Sequence, residues 1–161
     1  MNHHLDQLIA NRGHKPKMLV VDDQAINIRV IHNLFKRQFD VIMAMNGEQA
    51  LSQAEQHHPD LIILDVMMPD MDGYEVCRRL KANPTTHAIP VVFVTAHNDP
   101  ADEMQGISLG AIDFISKPIN AVLVEARMKT YITFKLQTDL LRSMGALDGS
   151  VGATGGKRVD E

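Results

Sequence analysis

The run MLVV at Met18–Val21 breaks off abruptly in two carboxylates, Asp22-Asp23. A strand apolar at every position has both faces buried, as in a parallel sheet covered by helices on each side. Four more runs of this kind follow: Val41–Met45 (VIMAM), Leu61–Leu64 (LIIL), Val91–Val94 (VVFV) and Ala111–Ile115 (AIDFI). Between them apolar residues recur at helical spacing. Ile26, Val30, Ile31, Leu34 and Phe35 make one stripe, Ala50, Leu51 and Ala54 a second, Val76, Cys77 and Leu80 a third. Met104, Ile107 and Leu109 suggest a fourth helix, and a longer one starts near Asn120. Five strands alternating with five helices predict an α/β domain with a parallel sheet and right-handed crossovers. Pro59, Pro69, Pro90, Pro100 and Pro118 fall at the junctions, where a missing N–H does least harm, and Asn46-Gly47 and Asp72-Gly73 mark turns before helices.

Composition narrows the function classes. The 161 residues can bury a full core, and 45% hydrophobic with 22% charged residues is an ordinary globular balance. A net charge of −4 argues against a nucleic-acid surface, so no direct DNA binding is expected. The single cysteine, Cys77, reads as a small buried hydrophobe. His3-His4 and His57-His58 lack partners at ligand spacing and read as solvated. The N-terminus has no secretory pattern and no stretch approaches a membrane span, so the expected location is cytoplasmic.

In an open α/β sheet ligands bind beyond the carboxyl ends of the strands, so the residues there carry the chemistry. The first strand ends in Asp22-Asp23, the third in Asp65, the fourth in Thr95, and the fifth in Ser116-Lys117-Pro118. Taken singly, Asp23 or Asp72 reads as a helix cap, Thr95 as another, and Lys117 as a surface charge. Together they place three carboxylates, a hydroxyl and an ammonium in one shallow pocket. Crowded carboxylates repel unless one holds a proton or a hard cation joins them, and Mg2+ suits one or two carboxylates with water and phosphate oxygens.

The segments VVDD, LIILDVMMPDMDGYEVCRRLK, VVFVTA and GAIDFISKP, in this order and spacing, resemble the receiver domains of two-component response regulators across roughly residues 17 to 130. The resemblance implies a flavodoxin-like doubly wound five-stranded sheet in the order 2-1-3-4-5, with an extended C-terminal helix. It implies that Asp65 takes phosphate from a histidine kinase or phosphotransfer protein. Asp23 would bind Mg2+ directly, Asp22 through water, and the backbone carbonyl of Met67 would complete the protein ligands. Lys117 would pair with Asp65 and then with the phosphoryl oxygens, Thr95 would hydrogen-bond the phosphoryl group, and Phe114 stands at the aromatic switch position. The Lys117-Pro118 bond is expected to be cis, aiming Lys117 into the pocket. Met67 and His97 occupy positions that tune phosphoryl lifetime.

Two other Asp- or sheet-based families fit less well. A haloacid-dehalogenase-type phosphatase needs an acid two residues after its nucleophile, where Met67 cannot transfer a proton. A flavodoxin needs a phosphate loop after the first strand, where DDQAIN offers carboxylates. The chain is therefore read as a phosphoacceptor without an output enzyme.

Its expected organisation is a flexible extension over 1–16, a receiver over 17–130, a helical extension over 131–147 and a glycine-rich tail over 148–161. Leu136, Leu140 and Leu147, with Phe134, Leu141 and Met144 beside them, form a seam for a weak or phosphorylation-dependent homodimer, unless they fold back on the same chain. Leu147-Asp148-Gly149, Gly152, Lys157-Arg158 and Asp160-Glu161 resemble the opening of a diguanylate cyclase domain, with a plain glycine-rich end as the alternative.

Overall fold

A computed structural model describes residues 3–96 and 99–145. Five parallel strands form one sheet in the order β2-β1-β3-β4-β5: β1 Lys17–Val21, β2 Asp40–Ala44, β3 Leu61–Leu64, β4 Val91–Thr95 and β5 Asp113–Ser116. The expected flavodoxin-like order is therefore present. Among the described residues six helices accompany the strands: α1 His3–Arg12, α2 Ala25–Phe35, α3 Gly47–His57, α4 Gly73–Ala82, α5 Pro100–Ser108 and α6 Ala121–Ser143.

Period-two side-chain alternation splits the core into two layers. Met18, Val20, Leu61, Ile63, Val92 and Val94 face α1, α2 and α6. Leu19, Val21, Ile62, Leu64, Val91 and Phe93 face α3, α4 and α5, where Cys77 is fully buried. Strand β5 begins two residues later than the apolar run suggested, at Asp113, whose carboxylate is held by Tyr131 and by Arg127 at 3.1 Å. Side-chain caps start α3 to α6: Asn46, Asp72, Asp99 and Asn120 each accept an N–H three residues on. Asp72 is thus a cap and no part of the carboxylate cluster.

Two expectations change. In α2 the buried residues are Ile28, Ile31 and Phe35, while Ile26 and Val30 are exposed, because the face that meets the sheet is rotated from the stripe read off the sequence. In α5 Met104 and Ile107 point outward, and Gly106 is the helix's buried residue.

The N-terminal extension also departs from the flexible segment expected over 1–16. Residues His3–Arg12 form a helix with Leu5 and Leu8 buried in the same cluster as Ile132 and Leu136 of α6. The α1 and α6 helices are therefore packed on each other, and Leu136 folds back on its own chain rather than standing on an open seam. Leu147 and the tail that resembles a cyclase opening lie outside the described residues. Among the described residues no helix is long and apolar enough to cross a membrane.

Candidate functional site

The parallel sheet delivers the carboxyl ends of β1, β3, β4 and β5 to one rim. Asp22 follows β1, Asp65 follows β3, Thr95 ends β4 and Lys117 follows β5. Asp23, Asp65, Met67, Thr95 and Lys117 line one shallow pocket of about 530 Å³. Asp22, Asp65 and Thr95 are buried, whereas Asp23 is half-buried at the mouth.

The Lys117 ammonium joins the two deeper acids. Its Nζ donates to Asp22 Oδ2 at 2.7 Å and to Asp65 Oδ2 at 3.2 Å. Asp22 Oδ1 accepts the Gln24 backbone N–H at 2.9 Å and the Asn27 side-chain amide at 3.3 Å. Asp65 Oδ1 accepts the Met67 N–H at 3.3 Å, and the Thr95 hydroxyl hydrogen-bonds the same carboxylate. The Lys117-Pro118 bond is cis.

The electrostatics follow from burial and crowding. Desolvation raises the Asp65 pKa; Thr95 and Lys117 oppose that shift without cancelling it, and the neighbouring Asp22 reinforces it. Burial alone would lower the Lys117 pKa, but hydrogen bonding and attraction to Asp22 and Asp65 hold it above its ordinary value. Ligand oxygens of Asp22, Asp23 and Asp65 lie within 4.8 Å of one another. Three carboxylates against one ammonium leave an excess of negative charge, and an all-oxygen donor set suits a hard divalent cation.

The backbone around Asp65 leaves no slack. Gly73 donates its N–H to the Val66 carbonyl at 2.8 Å, and a Cβ on Gly73 would lie 2.1 Å from the Asp65 carbonyl oxygen. Only glycine fits there without displacing the backbone that carries the Asp65 side chain, which explains the Asp72-Gly73 turn beyond its role in starting α4.

Phe114 is buried, 7% exposed, in the core layer that faces α3, α4 and α5. Its ring sits 5.8 Å from that of Phe93, which meets Tyr74 at 5.5 Å. A Cβ on Gly106 would come within 3.0 Å of both Phe114 and Phe93. The Tyr74 hydroxyl donates to the Asp102 carbonyl at 3.1 Å and so fixes the first turn of α5, a link that no sequence pattern announces. The Met67 side chain is exposed beside the pocket; His97 lies outside the described residues.

The comparisons with known proteins agree with this geometry. The family model for the response regulator receiver domain matches residues 18–129. The chain is 45% identical over 141 residues to the response regulator PleD of Caulobacter vibrioides, covering 87% of this chain and 31% of that protein. It is 36% identical over 143 residues to a protein of Vibrio cholerae named a probable cyclic di-GMP phosphodiesterase, covering 81% and 32%. The chain thus spans about a third of the length of these two relatives. Among solved structures, the receiver domain of a putative Luxo repressor protein from Vibrio parahaemolyticus superposes with a TM-score of 0.74 at 29% identity, covering 79% of this chain and 97% of that one. With the family model matching most of its length and the strand order and carboxylate rim in place, this chain belongs to the response regulator receiver domain family.

Proposed function

We propose that Asp65 accepts a phosphoryl group from a phosphohistidine on a histidine kinase or phosphotransfer protein. The observation that carries this reading is the convergence of Asp22, Asp23, Asp65, Thr95 and Lys117 at one rim of the sheet. An Asp65 oxygen attacks phosphorus in line, the P–N bond breaks, and the departing imidazole nitrogen keeps the electron pair. Lys117 exchanges its bond to Asp65 for one to a phosphoryl oxygen, and the Thr95 hydroxyl turns to another. Asp23 would hold Mg2+ directly, Asp22 through water, with Asp65 and the Met67 carbonyl completing the set. Bound there, Mg2+ supplies the positive charge that neutralises the phosphoryl oxygens.

A groove of about 510 Å³ adjoins the site, with Val30, Ile31, Pro118 and Ile119 among its walls. The exposed Ile26 and Val30 of α2, the latter in the wall of a groove that Asp22 and Lys117 also line, support docking of a donor protein's helix on this side. The output surface on this reading is α5, β5 and the start of α6, where Met104, Ile107, Ile112, Val122 and Leu123 are exposed. A homodimer that forms weakly or on phosphorylation would also use the outward residues of α6.

Incubation with acetyl phosphate and Mg2+ followed by mass spectrometry tests the assignment. One acid-labile phosphate on Asp65, absent without a divalent cation, is expected. Phosphate retained by Asp65→Asn overturns it.

A second reading places this receiver at the front of a regulator of cyclic di-GMP. It is supported by the resemblance of the segment after Ala146 to a diguanylate cyclase opening and by the name of the Vibrio cholerae relative. The chain itself carries no GGDEF signature, so incubation with GTP and Mg2+ is expected to give no cyclic dinucleotide.

A further inference from the structure

The family match begins at residue 18 and ends at 129, leaving α1 and the second half of α6 outside it. These two excluded pieces pack on each other. Leu5 and Leu8 of α1 share a buried cluster with Ile132 and Leu136 of α6, and His4 hydrogen-bonds Gln137. A single carboxylate of the receiver body ties both pieces down. Asp60, 1% exposed at the entrance to β3, accepts the Lys17 backbone N–H at 2.8 Å, Arg12 Nη2 at 2.9 Å and Lys135 Nζ at 2.7 Å. Lys135 also pairs with Asp139 one turn on.

We propose that α1 and Asp60 form a clasp that holds residues 130–143 of α6 helical and fixed against the receiver body, so that α6 leaves the domain as a rigid arm. A helical segment of this length is marginal in water by itself and takes its stability from a buried apolar face. Beyond residue 130 the buried residues of α6 are Ile132 and Leu136, and α1 covers them. Phe134, Leu141 and Met144 on the other side are exposed and contribute little. Arg12 and Lys135 are cations brought to one point, and they repel each other unless Asp60 stands between them. Asp60 is therefore the keystone, and α1 is the cover. None of these residues lines the Asp65 pocket, so the clasp stands or falls independently of the phosphoryl reading.

The rival is that α1 merely fills out one global core. Hydrogen–deuterium exchange of the whole chain separates the two. The variants are Asp60→Asn, the pair Leu5→Ala with Leu8→Ala, and Lys135→Met, which keeps a good helix former and tests the ion cluster if Asp60→Asn does not fold. The clasp predicts that amides of 130–143 exchange about tenfold or more faster in these variants, while residues 121–129 and the five strands keep their protection. Unchanged exchange over 130–143 overturns the proposal. So does an equal loss of protection across the domain, which would make α1 part of a single cooperative core.

Discussion

Lys117 Nζ stands 2.7 Å from Asp22, half an ångström nearer than it stands to Asp65 at 3.2 Å. Asp22 thus holds the ammonium more tightly than Asp65 does in the resting pocket. Asp22→Asn should both loosen Lys117 and thin the carboxylate cluster. We expect Mg2+ affinity to fall about 10- to 100-fold, with a larger loss in Asp23→Ala, which on the proposed reading removes a direct ligand. Calorimetric titration with Mg2+ reads both. Equal affinity in Asp22→Asn and the parent would remove Asp22 from the metal site.

Asp65 is costly to the resting fold. Its pKa is raised in the folded chain, so the unfolded chain gives up this proton at lower pH, near 3.8. The stability contribution is therefore lost as pH rises from that value through the folded pKa, and the penalty is complete above it. In metal-free buffer at pH 7, Asp65→Asn should raise stability by roughly 0.5–2 kcal/mol. The gain should shrink as pH falls toward 4. Urea midpoints in EDTA at the two pH values check this, and a destabilised variant at pH 7 would contradict it.

Gly106 confines Phe114, since any Cβ there would press on its ring at 3.0 Å. Gly106→Ala should cost about 1–3 kcal/mol by overpacking. On the switch reading, beryllofluoride moves Thr95 toward the phosphoryl mimic, and Phe114 moves into the vacated space. NMR resonances of Phe114, α5 and β5 should then shift together in the parent chain. If Phe114 resonances stay where they are, the ring is only core.

Met67 projects an exposed apolar side chain beside the pocket. Hydrolysis of the acyl phosphate needs a water in line with the P–O bond, and a thioether neither orients that water nor makes room for it. Met67→Asn should therefore shorten phosphoryl lifetime. Phosphate release followed after removal of donor gives the rate; an equal or slower rate in Met67→Asn counts against the steric account.

Burial of Leu136 under α1 changes which α6 residues a second copy can use. Phe134, Leu141 and Met144 remain exposed on one side of the helix. Sedimentation at high concentration should show dimer with beryllofluoride, reduced by Phe134→Ser. A monomer throughout would exclude pairing through this surface.

The strand ends were legible because a parallel sheet makes sequence position equivalent to place: an Asp or Lys after an apolar run must reach the same rim as the others. Asp22, Asp65, Thr95 and Lys117 could be found that way. Helix faces were less legible. Ile26 and Val30 sit at helical spacing with the buried residues, yet a rotation of the stripe puts them in solvent. Asp60 was invisible for a different reason. Its partners Arg12 and Lys135 are far away in sequence, and a lone acid after Pro59 looks like any turn residue. The Leu5, Leu8, Ile9 pattern of α1 was present, but its burial depends on α6 lying across the sheet to receive it.

Strand β3 has a carboxylate at each end, Asp60 before Leu61 and Asp65 after Leu64, roughly 17 Å apart along the chain. The near end is bolted by three donors, and its acid is held below the usual carboxylate range: burial would raise it, but Lys135, Arg12 and the Lys17 N–H outweigh that. The far end is the one that takes phosphate on the reading proposed above. A bar tied at its base resists sliding when its tip is loaded. On that reading, movement started at Asp65 would spread sideways rather than lengthwise, from β3 into its neighbour β4 and on to β5, toward the outward faces of α5 and α6.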